Sequence, residues 1–565
     1  MITAADAPKQ PTRNEGLKET FPLLGGTIAS TLANPTADSF THDDYEFLKF
    51  HGIYQQDDRD MRKTAGGKHF VFMVRTKFPG GALTGDQYLA CDTLASTYAN
   101  NTLRITTRQD FQFHGVIKGN LRKTMQDLNR ALITTIAACG DVERNVMAPP
   151  TPATSPLVDH VIEEARKLSD ALAPATRAYH QIWLEGVAVD FPEEENKSFQ
   201  DPLYGKHYLP RKFKTGFAIP PLNDIDIFTN DLGFIVIAEN DKLIGYNLLA
   251  GGGMGMTHGN AATYPRLADV LGFVRPEHLE VMAKAILTIH RDFGDRTNRK
   301  HARLKYVLDE RGVDWCRTEV EKRTGIKLEP ARPFQFTKQG DLLGWHKQTN
   351  GKYFLGLFVE NGRIQDLPNY PLKTALRKVI EQFKPDVRLT ASQNILLVNI
   401  PEGQRSAMET LFREYSISVD NPFSATRLAS MACPALPTCG LALAEAERAL
   451  PDILTQIEGL LKEVGLEREE IVIRMTGCPN GCARPYMAEI GFVGKGPNRY
   501  QVYFGGNEAS TRLNRLYKDV VKTDEIVNEL RPVLQRFVKE RKPGERFGDF
   551  SNRAILKESA APMPI

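Results

Sequence analysis

The sequence of 565 residues lacks any apolar run that approaches the roughly 18–20 residues needed to span a bilayer. Its opening stretch, MITAADAPKQPTRNEG, is polar and lacks the apolar centre of a signal peptide. Cysteine is scarce: seven thiols, an odd number, without an export signal favour the reduced state over disulfides. We therefore expect a cytoplasmic protein, and its length predicts about three or four domains.

An excess of charge of one sign is also missing, because the net charge is only +3. A chain with so little net charge has no overall electrostatic attraction to nucleic acid or to a membrane surface, so any binding by basic residues must be local. The sequence also lacks a nicotinamide or flavin motif, since the spacing of Gly251-Gly252-Gly253-Met254-Gly255 is wrong for a dinucleotide fingerprint. Electrons from a nicotinamide would therefore have to arrive through a partner protein.

What the sequence does contain is a regular α+β pattern that begins near His69. A strand (HFVFMVRTKF), a helix (ALTGDQYLACDTLASTYAN), a hairpin (LRITTRQDFQFHGVI) and a second amphipathic helix that ends at Cys139 follow in order. This order predicts a small ferredoxin-like sandwich. Alternation along the hairpin places Arg104, Gln112 and His114 on one polar, cationic face of the sheet.

The same pattern occurs twice. The stretch 387–393 matches 103–109 with Arg, Thr and Gln at the same positions. In a second repeat, residues 213–217 and 233–253 are similar in pattern to residues 474–478 and 490–506. Two echoes in the same order predict a duplicated, pseudo-two-fold α+β architecture around a central cofactor. The expected parts are an extended N-terminal arm (1–65), paired ferredoxin-like halves (66–138 and 340–418), and two larger mixed domains (139–339 and 419–565).

Four of the seven cysteines form two short pairs, Cys433-x5-Cys439 and Cys478-x3-Cys482, in Pro- and Gly-rich loops. Structural zinc sites usually use tighter two-residue knuckles, and neither pair has that spacing. An iron–sulfur cluster takes four thiolates and benefits from backbone N–H groups near its sulfurs. The spacing favours a cluster, with zinc and unrelated thiols as alternatives. Cys91 and Cys316 lie in helical patterns and are expected in the core, and Cys139 has no assigned partner.

The stretch Thr476-Gly477-Cys478-x3-Cys482-x6-Glu489-Ile490-Gly491-Phe492 resembles the signature of the sulfite and nitrite reductases that carry sirohaem and a [4Fe–4S] cluster. Segments such as FHGIYQQDDRD, TRQDFQFHG, YLPRKFK, DRTNRKHARLKY and ERFGDF extend the resemblance from about residue 45 onward. It implies the assimilatory, six-electron reduction of sulfite to sulfide. A ferredoxin-dependent sulfite or nitrite reductase is the alternative within the family, and a non-catalytic iron–sulfur or zinc protein is the alternative outside it.

The resemblance also implies roles for individual residues. Cys433, Cys439, Cys478 and Cys482 would hold the cluster, and the Cys482 thiolate would bridge to the sirohaem iron. Sulfite would bind on the opposite side of that iron, where a dense set of cations can hold an anion and supply protons. The four cations at matching positions are Arg75, Arg144, Lys212 and Lys214, with the two lysines expected to alternate on one strand.

Sirohaem carries many carboxylates, so the resemblance implies a basic pocket around it. Arg104, Arg108 and Gln112 match positions that hold these groups, whereas His114 fits either the pocket or the core. Arg211, Thr476 and Asn480 lie beside matched residues. In the basic run 296–305, the residue that contacts sirohaem could be any of Arg299, Lys300, Arg303 and Lys305, and Arg303 is the predicted one.

The electron donor is expected to be a separate protein. A flavoprotein reductase subunit that carries FAD and FMN and uses NADPH fits the resemblance, and ferredoxin is the less favoured partner. The N-terminal arm is a hypothetical docking segment for that partner. Lys214 favours sulfite over nitrite, because nitrite enzymes of the family often replace it.

Overall fold

The computed structural model describes residues 10–63, 67–176, 182–184, 187–189 and 198–556. None of the helices within these ranges is long and apolar enough to cross a membrane. The extended conformation expected for the N-terminal arm is wrong for Arg13–Leu48, which contains three short helices. The third begins where the Thr41 side chain accepts a hydrogen bond from the Asp44 amide at 3.1 Å, and Asp43 and Asp44 complement the helix dipole.

The first ferredoxin-like half follows the expected order. Its long helix begins with a capping box, because the Thr84 hydroxyl and the Gln87 side chain each accept from the other's backbone amide. The elements up to residue 130 are α1 Arg13–Thr20, α2 Ile28–Ala33, α3 His42–Leu48, β1 Ile53–Asp57, β2 Phe70–Arg75, β3 Ala82–Leu83, α4 Gly85–Tyr98, β4 Leu103–Ile105, β5 Phe111–Val116 and α5 Lys118–Arg130.

The first larger domain is built on a mixed sheet. Strands β8 and β9 are parallel, and β9, β10 and β11 continue antiparallel. Its elements are α6 Val158–Ala171, β6 Ile182–Leu184, β7 Val187–Val189, β8 Thr215–Ala218, β9 Leu232–Glu239, β10 Lys242–Ala250, β11 Asp269–Val274, α7 Leu279–Phe293, α8 Leu304–Arg311 and α9 Val313–Thr324. Cys91 in α4 and Cys316 in α9 are fully buried, as expected.

The second ferredoxin-like half repeats the first. Its elements are β12 Gly344–Lys347, β13 Tyr353–Leu357, β14 Arg363–Ile364, β15 Asp366–Leu367, β16 Tyr370–Pro371, α10 Leu372–Phe383, β17 Asp386–Leu389, β18 Ile395–Ile400 and α11 Arg405–Glu414. The two halves exchange one short strand each: β14 pairs with β4 of the first half, and β3 pairs with β17 of the second. The halves therefore form one unit with a common hydrophobic core.

The exchanged strands show the pseudo-two-fold at single residues. Gly81 before β3 has φ +68°, and a Cβ there would lie 2.3 Å from the Leu389 carbonyl oxygen. Gly362 before β14 has φ +74°, and its Cβ would lie 2.5 Å from the Ile105 carbonyl oxygen. Both the left-handed backbone and the close approach require glycine. The duplication expected from the sequence is confirmed.

The second larger domain repeats the parallel-then-antiparallel sheet. Its elements are α12 Ala425–Leu428, β19 Met431–Ala432, α13 Leu450–Glu463, β20 Ile473–Thr476, β21 Ile490–Gly496, β22 Arg499–Phe504, β23 Arg515–Lys522, α14 Ile526–Glu540, α15 Phe547–Phe550 and a π-helix at Ser551–Ile555. The pair β20–β21 is parallel, as β8–β9 is. The Thr-Gly dipeptide that the two copies share lies at opposite ends of the corresponding strands: Thr215 begins β8, whereas Thr476 ends β20.

Candidate anion and thiol site

The segment Cys139–Arg144 organises the predicted anion site. It lies beyond α5, which ends at Arg130, so the expected helix around Cys139 is wrong. The segment runs beside residues 209–215 through backbone hydrogen bonds from Leu209, Phe213 and Arg144 amides, at 3.0 to 3.1 Å. It therefore brings Arg144 next to the segment before β8 that carries Lys212 and Lys214.

Arg75, at the end of β2, is held by uncharged groups. Its Nη1 donates to the Cys139 Sγ at 3.2 Å. The Gln112 amide, with its oxygen toward Arg75, accepts from Nη2 and Nε at 2.5 and 3.0 Å. Tyr54 lies under the guanidinium, 5.9 Å from the ring centroid. These partners fix the guanidinium without neutralising it, and they give Cys139 the partner that the sequence did not identify.

Lys212 and Lys214 flank Phe213, whose ring is fully buried and stacks on His290. Both lysines are half-buried. They precede β8, and Phe213 between them makes an isolated bridge with Glu143. Burial, and then the neighbouring cations Arg211 and Arg144, lower the pKa of Lys212 well below its usual range. Burial and Lys212 do the same to the pKa of Lys214.

Arg108 and Arg144 complete a group of cations without carboxylate partners. The Arg144 Nη2 donates to the Gly140 carbonyl at 3.1 Å, and the Nε of each arginine is buried without a hydrogen-bond partner in the part of the chain that the structure describes. Arg108 contacts the Asn230 side chain and the Asn145 and Thr215 carbonyls, and burial lowers its pKa to about 10. Among the described residues, none of Arg75, Arg108, Arg144, Lys212 and Lys214 forms an ion pair.

Unpaired cations at this degree of burial are costly unless an anion joins them. The arrangement therefore fits a small oxyanion together with an acidic cofactor. Each lysine can hold and donate a proton, and each arginine offers a fixed fork of donors.

The four predicted thiols converge from two loops. Burial and then the other thiols raise the pKa of Cys433 well above its usual range, and the same causes raise that of Cys478 to about 11. The Gly477 amide donates to the Cys433 Sγ at 3.3 Å, and the Asn480 Nδ2 donates to the Cys478 Sγ at 3.3 Å. N–H groups aimed at the sulfurs match what an iron–sulfur cluster needs.

Gly477 is required between these loops, because a Cβ there would lie 2.5 Å from the Ala444 carbonyl oxygen. Within the ranges the structure describes, no three His, Cys, Asp or Glu side chains are close enough to hold a single metal ion. The first half touches the thiol loops directly, since the Thr107 hydroxyl donates to the Cys482 carbonyl at 2.9 Å. The Cys482 side chain itself remains exposed.

A polar face of the first sheet lies between the cations and the thiols. Arg104 and Gln112 are cross-strand partners, and β14 adds Arg363 opposite Arg104. His114 lies 3.4 Å from the Gln112 amide and is buried. Burial and then Arg363 lower its pKa well below the usual range, which keeps it neutral. A cavity of about 800 Å³ opens beside this face and is bounded by residues of the Cys433–Cys439 loop.

Three predicted pocket arginines already have carboxylate partners. Arg104 donates to Glu447 at 2.8 Å, and Arg303 donates to Asp231 at 2.6 and 3.1 Å. Arg211 lies 4.0 Å from Asp141. Their roles toward a cofactor stay predictions.

The remaining pocket candidates differ in their partners. The buried Thr476 hydroxyl has no hydrogen-bond partner among the residues that the structure describes, and Asn480 contacts Cys478. Of the other basic residues considered, Arg299 binds Asp141, Lys300 is exposed, and the Lys305 ammonium donates to carbonyls of Gly253 and Gly255 at 3.1 and 2.9 Å.

Sequence reasoning missed the carboxylates that hold these cations in place. Glu447 bonds both Arg104 and Arg363, and its amide donates to the Cys433 carbonyl at 3.0 Å, so it fastens the thiol loop to the first half. Although burial opposes it, the two arginines lower the pKa of Glu447 to about 2. A lone Glu or Asp in a loop gives no local signal, so these residues could not be recognised from the sequence.

Comparisons with known proteins agree with the duplicated fold. A family model described as the nitrite and sulphite reductase 4Fe-4S domain matches residues 163–328, a span without any of the four clustered cysteines. A model described as the nitrite/sulfite reductase ferredoxin-like half domain matches residues 63–131 and 346–415. The two half-domain matches coincide with the halves that exchange strands.

Curated relatives match nearly the full length. A protein of Anoxybacillus flavithermus, named sulfite reductase [NADPH] hemoprotein beta-component, is 49% identical over 99% of this chain and 98% of its own. The protein of that name from Myxococcus xanthus is 48% identical over 99% of both chains. The solved structure of Mycobacterium tuberculosis NirA superposes with a TM-score of 0.78 at 23% identity over 97% of this chain and 98% of that one, and so shares the fold.

Proposed function

Because the chain belongs to the nitrite and sulphite reductase family, we propose that it reduces sulfite to sulfide as the haem-bearing component of an NADPH-dependent sulfite reductase. Its cofactors are sirohaem and a [4Fe–4S] cluster, and its reaction takes six electrons. The observation that carries the proposal is the set of buried and half-buried cations without carboxylate partners among the described residues, beside four thiols from two adjacent loops.

The chain's own groups perform three tasks. Arg75, Arg144, Lys212 and Lys214 bind and orient the anion, since their charge has no carboxylate partner among the described residues. The two lysines donate protons to the sulfite oxygens as these leave as water, and solvent returns a proton to each lysine between steps. Their lowered pKa values make each ammonium a stronger acid. The cations also stabilise negative charge as it develops on those oxygens.

We propose that Cys433, Cys439, Cys478 and Cys482 would hold the cluster and that the Cys482 thiolate would couple it to the sirohaem. When bound, the two cofactors would store electrons and pass them one at a time to the substrate. We propose Arg104, Arg108, Gln112, His114, Arg211, Arg303, Thr476 and Asn480 as the sirohaem pocket, on the basis of the resemblance. The unpaired Nε of Arg108 and hydroxyl of Thr476 support two of them most directly.

The electron donor is proposed to be a flavoprotein partner that uses NADPH, because the relatives bear the name of an NADPH-linked component. The domain limits given above are proposed as well. The docking role of the N-terminal arm stays a hypothesis, and residues 1–9 lie outside the described residues. From residue 12 to residue 49 the arm packs against its own chain.

The optical spectrum of purified protein, made with an ample sirohaem supply, tests the cofactor proposal, and a missing tetrapyrrole band would refute it. Sulfite-dependent oxidation of a reduced artificial donor then tests the reaction. The ratio of kcat/KM for sulfite to that for nitrite is expected to exceed one. A preference for nitrite would transfer the proposal to a nitrite reductase of the same fold.

A further inference from the structure

The N-terminal helix α1 reaches the anion site through one buried side chain. Lys18 is only 2% exposed, although it belongs to an eight-residue helix near the start of the chain. Its ammonium donates to the Leu209 carbonyl at 2.9 Å and lies 3.5 Å from the Asp141 Oδ2. Leu209 and Asp141 belong to the two adjacent segments that carry the proposed anion ligands. One lysine thus contacts both.

Each residue that Lys18 contacts on these two segments lies a few positions before a proposed anion ligand. Asp141 precedes Arg144 by three positions, and Leu209 precedes Lys212 by three. The Leu209 amide donates to the Asp141 carbonyl at 3.0 Å. Lys18 therefore bonds to the two segments at the same point where their own backbone pairing begins.

Asp141 also collects the cations that border the site. Arg299 forms a bidentate pair with it at 2.6 and 2.9 Å, and Arg211 lies 4.0 Å away. Burial alone would raise the pKa of Asp141, but Arg299 and Lys18 hold it far below its usual range. The Asp141 carboxylate is thus ionised. Its negative charge offsets the positive charges of Arg299 and Lys18 beside the anion site.

The helix end of this connection is also fixed. Glu15, 3% exposed, accepts from Lys18 at 2.7 Å and contacts Arg296, whose Nη2 donates to the Tyr208 carbonyl at 2.7 Å. The Thr12 amide donates to the Arg296 carbonyl at 2.9 Å. Bonds at both ends of the contact leave Lys18 little freedom to reorient.

We propose that α1 is a latch on the anion site, in which Lys18 is a positioning residue that pins the Arg144 segment to the Lys212–Lys214 segment. The inference rests on the proposed anion-reducing function. Without Lys18, the two segments can separate, and Asp141 becomes less neutralised and draws more strongly on Arg211. Both effects reduce the affinity for an anion, because the cations are less well placed and the positive field is weaker.

The test uses the holoenzyme and the variant Lys18→Met. Sulfite binding, followed through the visible spectrum, is expected to weaken about tenfold, whereas carbon monoxide, a neutral ligand of ferrous haem iron, is expected to bind with less than about a twofold change. KM for sulfite rises more than kcat falls. The matched control is Arg13→Met on the same helix, because Arg13 pairs with Asp43 at the surface, with 65% and 39% of their side chains exposed. This control is expected to match the wild type.

Hydrogen–deuterium exchange gives a readout that does not depend on activity. The Leu209 and Phe213 amides are expected to exchange faster in Lys18→Met and not in Arg13→Met. If Lys18→Met does not fold, Glu15→Gln weakens the same contact and is expected to raise the sulfite Kd about fivefold, the loss of one hydrogen bond. Equal weakening of sulfite and carbon monoxide, or sulfite binding like that of the control, would overturn the latch. A wild-type enzyme that neither binds nor reduces sulfite would instead refute the proposed function, and the exchange measurement would still decide on the latch.

Discussion

The two hairpin turns of the ferredoxin-like halves have the same backbone and different chemistry. In the first, the Thr106 hydroxyl accepts from the Asp110 amide at 3.2 Å and Gln109 has φ +60°. In the second, the Thr390 hydroxyl accepts from the Asn394 amide at 2.9 Å and Gln393 has φ +72°. The duplicated turn thus kept its hydrogen bonds, while a half-buried position between them diverged.

That diverged position is Arg108 in the first turn and Ser392 in the second. The arginine before each turn is preserved: Arg104 pairs with Glu447, and Arg388 pairs with Asp159 at 2.5 Å. Preserved pairs hold the architecture together, whereas diverged positions carry the proposed chemistry. By this comparison Arg104 has at least a structural role.

The larger domains differ in the same manner. Lys212 and Lys214 precede β8, and Cys478 and Cys482 follow the corresponding β20. Asp226 and Arg484, with φ of +51° and +52° before corresponding short helices, form a buried ion pair with each other. Two positions related by the pseudo-two-fold thus form an ion pair, and one copy carries cations before its strand whereas the other carries thiols after it.

The largest effect is expected from removing a thiol of the second copy. Cys482→Ser should lose cluster iron and labile sulfide and reduce activity by more than the 10–100-fold typical of outer-shell changes, because a proposed ligand of the cluster itself is gone. Iron and sulfide analysis with electron paramagnetic resonance measures this. The control Cys316→Ala removes a buried thiol in α9, away from the two thiol loops, and should keep the cluster. A fully active, cluster-bearing Cys482→Ser would break the assignment.

The cations of the first copy should give the next largest effect. Lys214→Met is expected to lower kcat/KM for sulfite by roughly 10²–10³-fold with an unchanged visible spectrum, since one stabilising donor is lost. The control is Lys242→Met at the exposed start of β10. Steady-state kinetics decides the outcome, and loss of the tetrapyrrole band along with activity would instead indicate a role in holding the cofactor.

The paired arginines separate architecture from cofactor binding. Glu447 is 14% exposed and Asp159 is 63% exposed, so Arg104→Gln should cost about 3 kcal/mol of unfolding free energy and Arg388→Gln about 1 kcal/mol or less. Denaturant unfolding measures both. Only Arg104→Gln should also lower the bound sirohaem. Equal sirohaem content in the two variants would leave Arg104 with the structural role alone.

The smallest effect is a shift in pH dependence. Burial and Lys212 lower the pKa of Lys214, so a rise in pH removes its proton and should raise KM for sulfite. Lys214→Arg stays protonated and should move this loss to higher pH. The pH profiles of kcat/KM for the wild type and Lys214→Arg test this shift. Protonation of sulfite itself affects both profiles equally, so a difference between them reports on residue 214. Coincident profiles would exclude Lys214 as the titrating group.

Much of the site could be predicted from local pattern. The thiol pairs, the strand alternation that placed Arg104, Gln112 and His114 on one face, and the duplicated hairpin all depend on residues a few positions apart. The helices within Arg13–Leu48 were missed because their apolar residues are sparse and they depend on tertiary packing. Lys212 and Lys214 lie before β8, and the bridge between Phe213 and Glu143 that positions this segment joins residues 70 positions apart, so it has no local signal.

The sequence by itself determined the α+β class, the duplication and the types of residue gathered at the centre, because periodicity and turn chemistry are short-range. Only the tertiary structure decided which cations remain unpaired. Arg104 meets Glu447 across 343 positions, and Lys18 meets Asp141 across 123. Charge pairing depends on distances in space, and only the fold determines which arginine lies beside a carboxylate and which does not.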